Sequence, residues 1–294
     1  MIDPSGNQNL PLLNKLLAKL LLFFYHHVRK STYIRFLIKK LLKKNAIKIV
    51  YKGVAIKAST NSAIESMLLF KEYNEDMLLD IIRFYSQQQF NFVDIGANIG
   101  LHSLIAATSN PDIKIYSFEP EPANFHNFLE NILLNNSKNI KPFMIGVGNT
   151  SENKYLNINN EWNKGKHSIK NSFSETNEKI IIPISTLDNF SVNFLDSNLF
   201  IKIDVEGYER EVVEGARQTL QALKNGIISI ELIDGNIDIT TCKNIIKDLT
   251  SFGFDKVYLL KRRQIIEVND FKESGDYLLL KGRLTKNNFV NFLS

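Results

Sequence analysis

A chain of 294 residues holds one large α/β domain or one domain with an appendage, and 44% hydrophobic with 11% aromatic residues is enough apolar material for a sizeable core. That excludes a disordered protein, and the single Cys242 excludes a disulfide framework or a cysteine-based zinc site while fitting a reducing, cytoplasmic setting. The net charge of +5 conceals an asymmetry: residues 1–54 carry eleven Lys or Arg against Asp3 alone (+10), leaving 25 basic and 30 acidic residues (−5) for the rest. A nucleic-acid enzyme would carry basic surface around its active site, so no nucleic-acid partner is expected.

Residues 10–44 read as one or two amphipathic helices. Leu13, Leu16, Leu17, Leu20, Leu21, Phe24 and Val28 follow helical spacing, with Lys15, Lys19, His26 and Lys30 on the other face. The longest uncharged apolar run, Leu20–Tyr25, is far short of the roughly 20 residues a bilayer span needs. It is also a poor signal peptide, because Lys19 interrupts the apolar core. Two readings stay open: a helix packed on the domain or on a dimer partner, or an in-plane helix in peripheral contact with the anionic inner surface of a membrane. Residues 1–45 are therefore expected to be a basic helical arm and 46–294 the catalytic domain.

Ile47–Tyr51 and Val54–Ala58 read as a hairpin turning at Lys52-Gly53, and Ser62–Tyr85 as one helix. Strand and helix then alternate: Phe90–Ile95, Gly100–Thr108, Lys114–Glu119, Glu121–Asn135 and Ile140–Val147. Asn149–Glu178 is polar and reads as a loop or small hairpin. Leu199–Asp204, Tyr208–Lys224, Gly226–Ile233 and Ile237–Ser251 continue the alternation, and Lys256–Lys261 and Asp276–Leu280 close it. Such alternation predicts a mostly parallel sheet with helices on both faces.

The chemistry concentrates at strand ends, where open α/β sheets bind ligands. Val93-Asp94-Ile95-Gly96-Ala97-Asn98-Ile99-Gly100 is an apolar strand ending in an acid, then a Gly-containing turn opening a helix. It lacks the second Gly of the dinucleotide fingerprint. Its strand-end carboxylate, Asp94, would repel a pyrophosphate but suits a ligand bearing an ammonium and a sulfonium, so S-adenosylmethionine is favoured over NAD. Gly96 permits close backbone approach and Gly100 close helix–strand packing. Glu119, ending the next strand, can accept hydrogen bonds from ribose hydroxyls or simply lead the following helix. Gly146, within Met144–Asn149, is expected beside the adenine.

Asp204 and Glu206 reach the same sheet edge from the strand Ile201-Lys202-Ile203. They could orient an acceptor hydroxyl, act as general base or hold a divalent metal, or Asp204 could merely cap the next helix. Glu231, inside an apolar strand, needs a partner. His102 reads as a packed side chain, and His167, in the polar loop Trp162–Ser168, as a further candidate acid or base.

The set Asp94–Gly100, Phe118-Glu119-Pro120, Thr186-Leu187-Asp188, Ile201–Glu209 and Ile230-Glu231-Leu232, in this order, resembles the FkbM-type methyltransferases over about residues 90–260. The resemblance implies a class I, Rossmann-like fold with a seven-stranded sheet whose last strand pair closes antiparallel. It implies an enzyme that O-methylates hydroxyls of sugars or small molecules. It places Asp94, Gly96 and Asn98 at the methionine end of the cofactor and Asp204 beside the transferring methyl. The expected function is thus S-adenosylmethionine-dependent O-methylation of a glycan or small molecule. A non-catalytic or membrane-associated scaffold is the alternative, and a nucleic-acid methyltransferase is disfavoured.

Overall fold

The computed structural model describes residues 9–28, 30–43, 45–158, 178–193, 198–261 and 264–284. They form two compact units, one reaching Asn74 and the other starting at Glu75.

The first unit holds α1 (Asn9–His27), α2 (Thr32–Leu42), the hairpin β1 (Ile47–Tyr51) and β2 (Val54–Ala58), and α3 (Ala63–Phe70). The hairpin turns at Lys52 and Gly53, both left-handed (φ 45° and 88°), which matches strand twist in a two-residue loop. The packed side of α1 is Ala18, Leu22 and Tyr25, whereas the predicted leucine stripe points outward. The helix expected over 62–85 is two helices. Lys71 is left-handed (φ 56°), and Glu72 N–H donates to the Met67 carbonyl (2.8 Å), closing the C-terminus of α3.

The second unit begins with α4 (Asp76–Gln87) and is built on an eight-stranded sheet. Its central strands are β3 (Asn91–Ile95), β4 (Ile115–Phe118), β5 (Ile140–Phe143) and, after β6 (Gly146–Val147), β7 (Glu152–Asn157) and β8 (Lys179–Ser185), the strand β9 (Leu199–Ile203). Then come β10 (Gly226–Leu232), β11 (Lys256–Lys261), β12 (Gln264–Val268) and β13 (Gly275–Lys281). The order is β12-β11-β13-β10-β9-β3-β4-β5, with β10, β9, β3, β4 and β5 parallel and β13 antiparallel to both neighbours. Between the strands run α5 (Leu101–Ser109), α6 (Pro122–Asn135), α7 (Glu209–Gly215), α8 (Arg217–Ala222) and α9 (Ile239–Ser251). This is the expected class I architecture with one strand more than the seven predicted. The addition is β12, an edge strand hydrogen-bonded to β11.

Two further elements differ from expectation. The strand predicted over 140–147 breaks after Phe143, and Gly146-Val147 joins a separate three-stranded sheet, β6-β8-β7. Of the two forms expected for the polar stretch, loop or small hairpin, its start takes the second: β7 pairs antiparallel with β8, which lies beyond that stretch, around a small cluster of Leu156, Ile182 and Ile184. The helix predicted over 208–224 divides at Ala216, because α8 has its own cap: Asp188 accepts from Gln218 N–H (3.1 Å), Thr219 N–H (2.8 Å) and Thr219 Oγ1 (2.8 Å). That is what Asp188 of the Thr186–Asp188 motif does.

Candidate active site

The turn after β3 is shaped by three left-handed residues: Gly96 (φ 80°), Asn98 (φ 52°) and Gly100 (φ 83°). At Gly96 a Cβ would lie 1.9 Å from the Asp204 carbonyl oxygen, so glycine is required by the backbone after β9. Asp204 N–H donates to the Ile95 carbonyl (3.1 Å), which stitches the two strand ends together. At Gly100 a Cβ would lie 2.0 Å from the Phe128 ring of α6, so this glycine lets helix α6, rather than a strand, come close. Asn98 tolerates its conformation because its Oδ1 accepts from Ile99 N–H (2.9 Å).

Glu119 meets this turn from β4. One carboxylate oxygen accepts from Asn98 N–H (2.7 Å) and the other from Glu121 N–H (2.9 Å). The helix-leading role belongs to its neighbour: Glu121 caps α6 through Ala123 N–H (3.0 Å) and Asn124 N–H (2.6 Å). Burial pushes the Glu119 carboxyl up to about 7, against the opposing pull of those backbone donors. Gly146 lies nearby, its α-carbon facing Ile184 and Pro120.

Behind the turn lies a buried charge chain. Asp94 is fully buried, accepts from Ser103 Oγ (2.6 Å) and stands beside Lys202, its register partner in β9. Lys202 is 4% exposed, in a strand buried at every position. Its Nζ is 3.0 Å from Asp204 Oδ2, 3.8 Å from Asp94 Oδ1 and 3.1 Å from the Gly96 carbonyl oxygen. Burial alone would lower this ammonium's pKa; Asp204, Asp94 and Glu75 outweigh it and hold the group above its ordinary value. Lys202 thus links the cofactor turn to the second acid pair, a role its position inside an apolar strand could have signalled.

Asp204 does not cap α7, whose N-terminus has no side-chain cap and whose Gly207 N–H is taken by Glu209 (3.1 Å). Its carboxylate instead faces Glu206 and Glu231, the three offering oxygens all within 4.8 Å of one another. Glu206 is left-handed (φ 53°) and accepts from Asn236 Nδ2 (3.1 Å). Glu231 pairs across the ladder with Asp276 of β13. Burial first, then repulsion from Asp204, Asp276, Glu206 and Glu75, holds the Glu231 carboxyl well above the usual carboxylate range. Burial with Glu75 and Asp204 also pushes Asp276 up to about 7. Asp276 and Glu75 were not singled out in the sequence because both reach the cluster from elements distant in the chain. His102 is buried and sits 3.0 Å from Glu75, so it is more than a packing residue. His167 lies outside the described residues.

The donor set can be matched to a cofactor. Asp204, Glu206 and Glu231 are half-buried carboxyl groups that accept when ionised, while Asp94 and Glu119 are buried. Acceptors of this kind fit a ribose diol, an ammonium and a sulfonium, and they would repel a pyrophosphate.

Comparison with known proteins identifies the family. The methyltransferase FkbM domain model matches residues 94–275. "Methyltransferase 1" of Beauveria bassiana is 27% identical over 219 residues, covering 68% of this chain and 85% of that protein. The hexuronic acid methyltransferase AglP of Haloferax volcanii is 26% identical over 174 residues, covering 58% of this chain and 70% of its own length. Methyltransferase sdnD of Sordaria araneosa is 26% identical over 196 residues, covering 57% and 75% respectively. Because the domain match spans more than half of the sequence, the chain belongs to the FkbM-domain methyltransferases and is an S-adenosylmethionine-dependent enzyme.

Proposed function

We propose that the acceptor is a hydroxyl of a sugar, a glycan or another small polyhydroxylated molecule, and that the product is its O-methyl ether. The observation that carries this reading is the convergence of Asp204, Glu206 and Glu231 beside the cofactor turn. A hydroxyl is a poor nucleophile at neutral pH and needs a base or a cation next to it. The sugar class is supported by likeness to the hexuronic acid methyltransferase.

When bound, S-adenosylmethionine would supply an electrophilic methyl group for an oxygen nucleophile, its sulfonium sulfur leaving as a neutral thioether. The turn Gly96–Gly100, with Asp94 behind it, would hold the methionine end, Glu119 would accept from the ribose hydroxyls and Gly146 would border the adenine. Asp204 removes the acceptor proton, and Lys202, 3.0 Å away, orients its carboxylate. Glu206 and Glu231 accept hydrogen bonds from neighbouring acceptor hydroxyls, aligning the attack.

A second reading, favoured by the carboxylate oxygens lying within 4.8 Å of one another, is that Asp204, Glu206 and Glu231 hold a hard divalent cation. Such an ion would supply Lewis acidity to the acceptor oxygen.

Methyl transfer from labelled S-adenosylmethionine to neutral hexosides and to hexuronic acid glycosides tests both. Asp204→Asn is expected to lose about 10²–10⁴-fold in kcat, with cofactor affinity kept within a few-fold. Full activity in that variant rejects the base. Activity unchanged by EDTA rejects the cation.

A further inference from the structure

Helix α1 turns its leucine stripe outward. Leu13, Leu16, Leu17, Leu20, Phe23 and Phe24 are each between 43% and 63% exposed. At about 100° per residue they fill an arc of about 120° on one side of the helix. The opposite side, Ala18, Leu22 and Tyr25, is buried. Helix α2 continues the pattern: Tyr33 (68% exposed) and Phe36 (60%) share a stripe with the exposed Lys40 and Lys43. Lys19 and Lys30 are exposed as well. Apolar residues so numerous and contiguous on a surface mark a place of contact.

We infer that this face docks on the surface of an anionic lipid bilayer, with α1 lying in the membrane plane. The occupant has to accept a band of leucine and phenylalanine and also a high positive charge. Residues 1–54 carry +10. An anionic bilayer offers both within a few ångströms, acyl chains beneath a layer of phosphates. Aromatic side chains beside lysines, as at Tyr33, Phe36, Lys40 and Lys43, suit the headgroup level. A second copy of the chain fits less well, since a two-fold contact through this face would press two such basic arms together. Crossing the bilayer is not required: among the described residues no helix is long and apolar enough to do so. The inference rests on this surface alone and is independent of the acceptor.

Co-sedimentation of the full chain with lipid vesicles tests it. Vesicles of phosphatidylcholine alone are compared with an equimolar mixture of phosphatidylcholine and phosphatidylglycerol. The chain is expected to sediment with the mixed vesicles and not with the neutral ones. Binding is expected to weaken as salt rises from 0.1 to 1 M and the screening length falls from about 10 to about 3 Å. Leu16→Asp with Leu20→Asp, both at exposed positions, should cut the bound fraction at least tenfold while calorimetric binding of S-adenosylmethionine stays unchanged. Lys40→Glu with Lys43→Glu should cut binding to the anionic vesicles and do nothing to the fold. Equal binding to neutral and anionic vesicles, or none to either, overturns the inference. So does a dimer, seen by light scattering, that the aspartate pair splits in a chain that never binds vesicles.

Discussion

Replacing Lys202 by methionine removes one charge from the sheet interior and keeps most of the side-chain stem. At 3.8 Å and an effective dielectric of about 20, its gross attraction to Asp94 is about 4 kcal/mol, and that to Asp204 at 3.0 Å is about 5–6 kcal/mol. Much of this is cancelled in the wild type by the cost of burying the ammonium, so the gross figures are not the effect of the substitution. What decides the outcome is the partner left behind. Asp204 has a side chain 32% exposed and can recover water; Asp94 is fully buried and cannot. Stranding a buried carboxylate costs about 3–5 kcal/mol. At about 2–4 °C per kcal/mol for a chain of this size, melting should fall by roughly 10 °C. Adding Asp94→Asn removes the stranded charge, so the double variant should be more stable than Lys202→Met alone by about 1–3 kcal/mol. Thermal and urea unfolding of the four proteins of this cycle give both numbers. Lys202→Met within 1 kcal/mol of wild type, or a double variant no more stable than the single, would falsify the charge-chain account.

Gly96→Ala should destabilise by about 2–5 kcal/mol and abolish calorimetric binding of the cofactor, because its Cβ would overlap the Asp204 carbonyl oxygen at 1.9 Å in a left-handed backbone; a variant that binds normally contradicts the stitch between the strand ends. Glu119 has a raised pKa, about 7 in the folded chain against an ordinary 4.5, so its contribution to stability is complete below about pH 4.5 and is lost as pH rises through 7. Cofactor binding moves the other way: ribose hydroxyls donate best to the ionised carboxylate, so affinity should fall towards tenfold per unit as pH drops below 7. Glu119→Gln should flatten that profile, and an affinity constant from pH 6 to 8 in the wild type would argue against the ribose role. Asp188→Ala should cost about 1–2 kcal/mol in urea unfolding through the lost cap of α8, and no change would show the cap to be redundant.

The strand–turn–helix around Asp94–Gly100 was legible because the periodicity switches from a buried run to helical spacing within a few residues, and the parallel sheet followed from repeated alternation. Breaks inside long apolar stretches were not. Lys71 and Ala216 are ordinary helix formers, and only backbone geometry and the distant carboxylate of Asp188 end the helices there. Gly146-Val147 departs from the main sheet because it pairs with β8, a partner that no local pattern identifies. At the site, Asp204, Glu206 and Glu231 could be read from their strands and Lys202 from its place inside an apolar one, whereas Asp276 and Glu75 gain meaning only through their proximity to residues distant in the chain. Helical spacing also found the leucine stripe of α1 but could not tell inside from outside, since buried Ala18 and Leu22 are no more apolar than exposed Leu16 and Leu20.

The pairing of Asp94 with Lys202, and the glycine at 96 that admits the backbone of Asp204, constrain how members of this family can be recombined. A chimera whose crossover falls between residues 96 and 202 takes the two halves of one buried charge chain from different parents. Where those parents differ at any of these positions, the hybrid inherits an unmatched ion or a blocked strand end. Crossovers placed before β3 or after Asp204 keep the set intact. Acceptor range should therefore be exchangeable by grafting the segments beyond Asp204, while the nucleotide-binding half and its lysine travel as a single block.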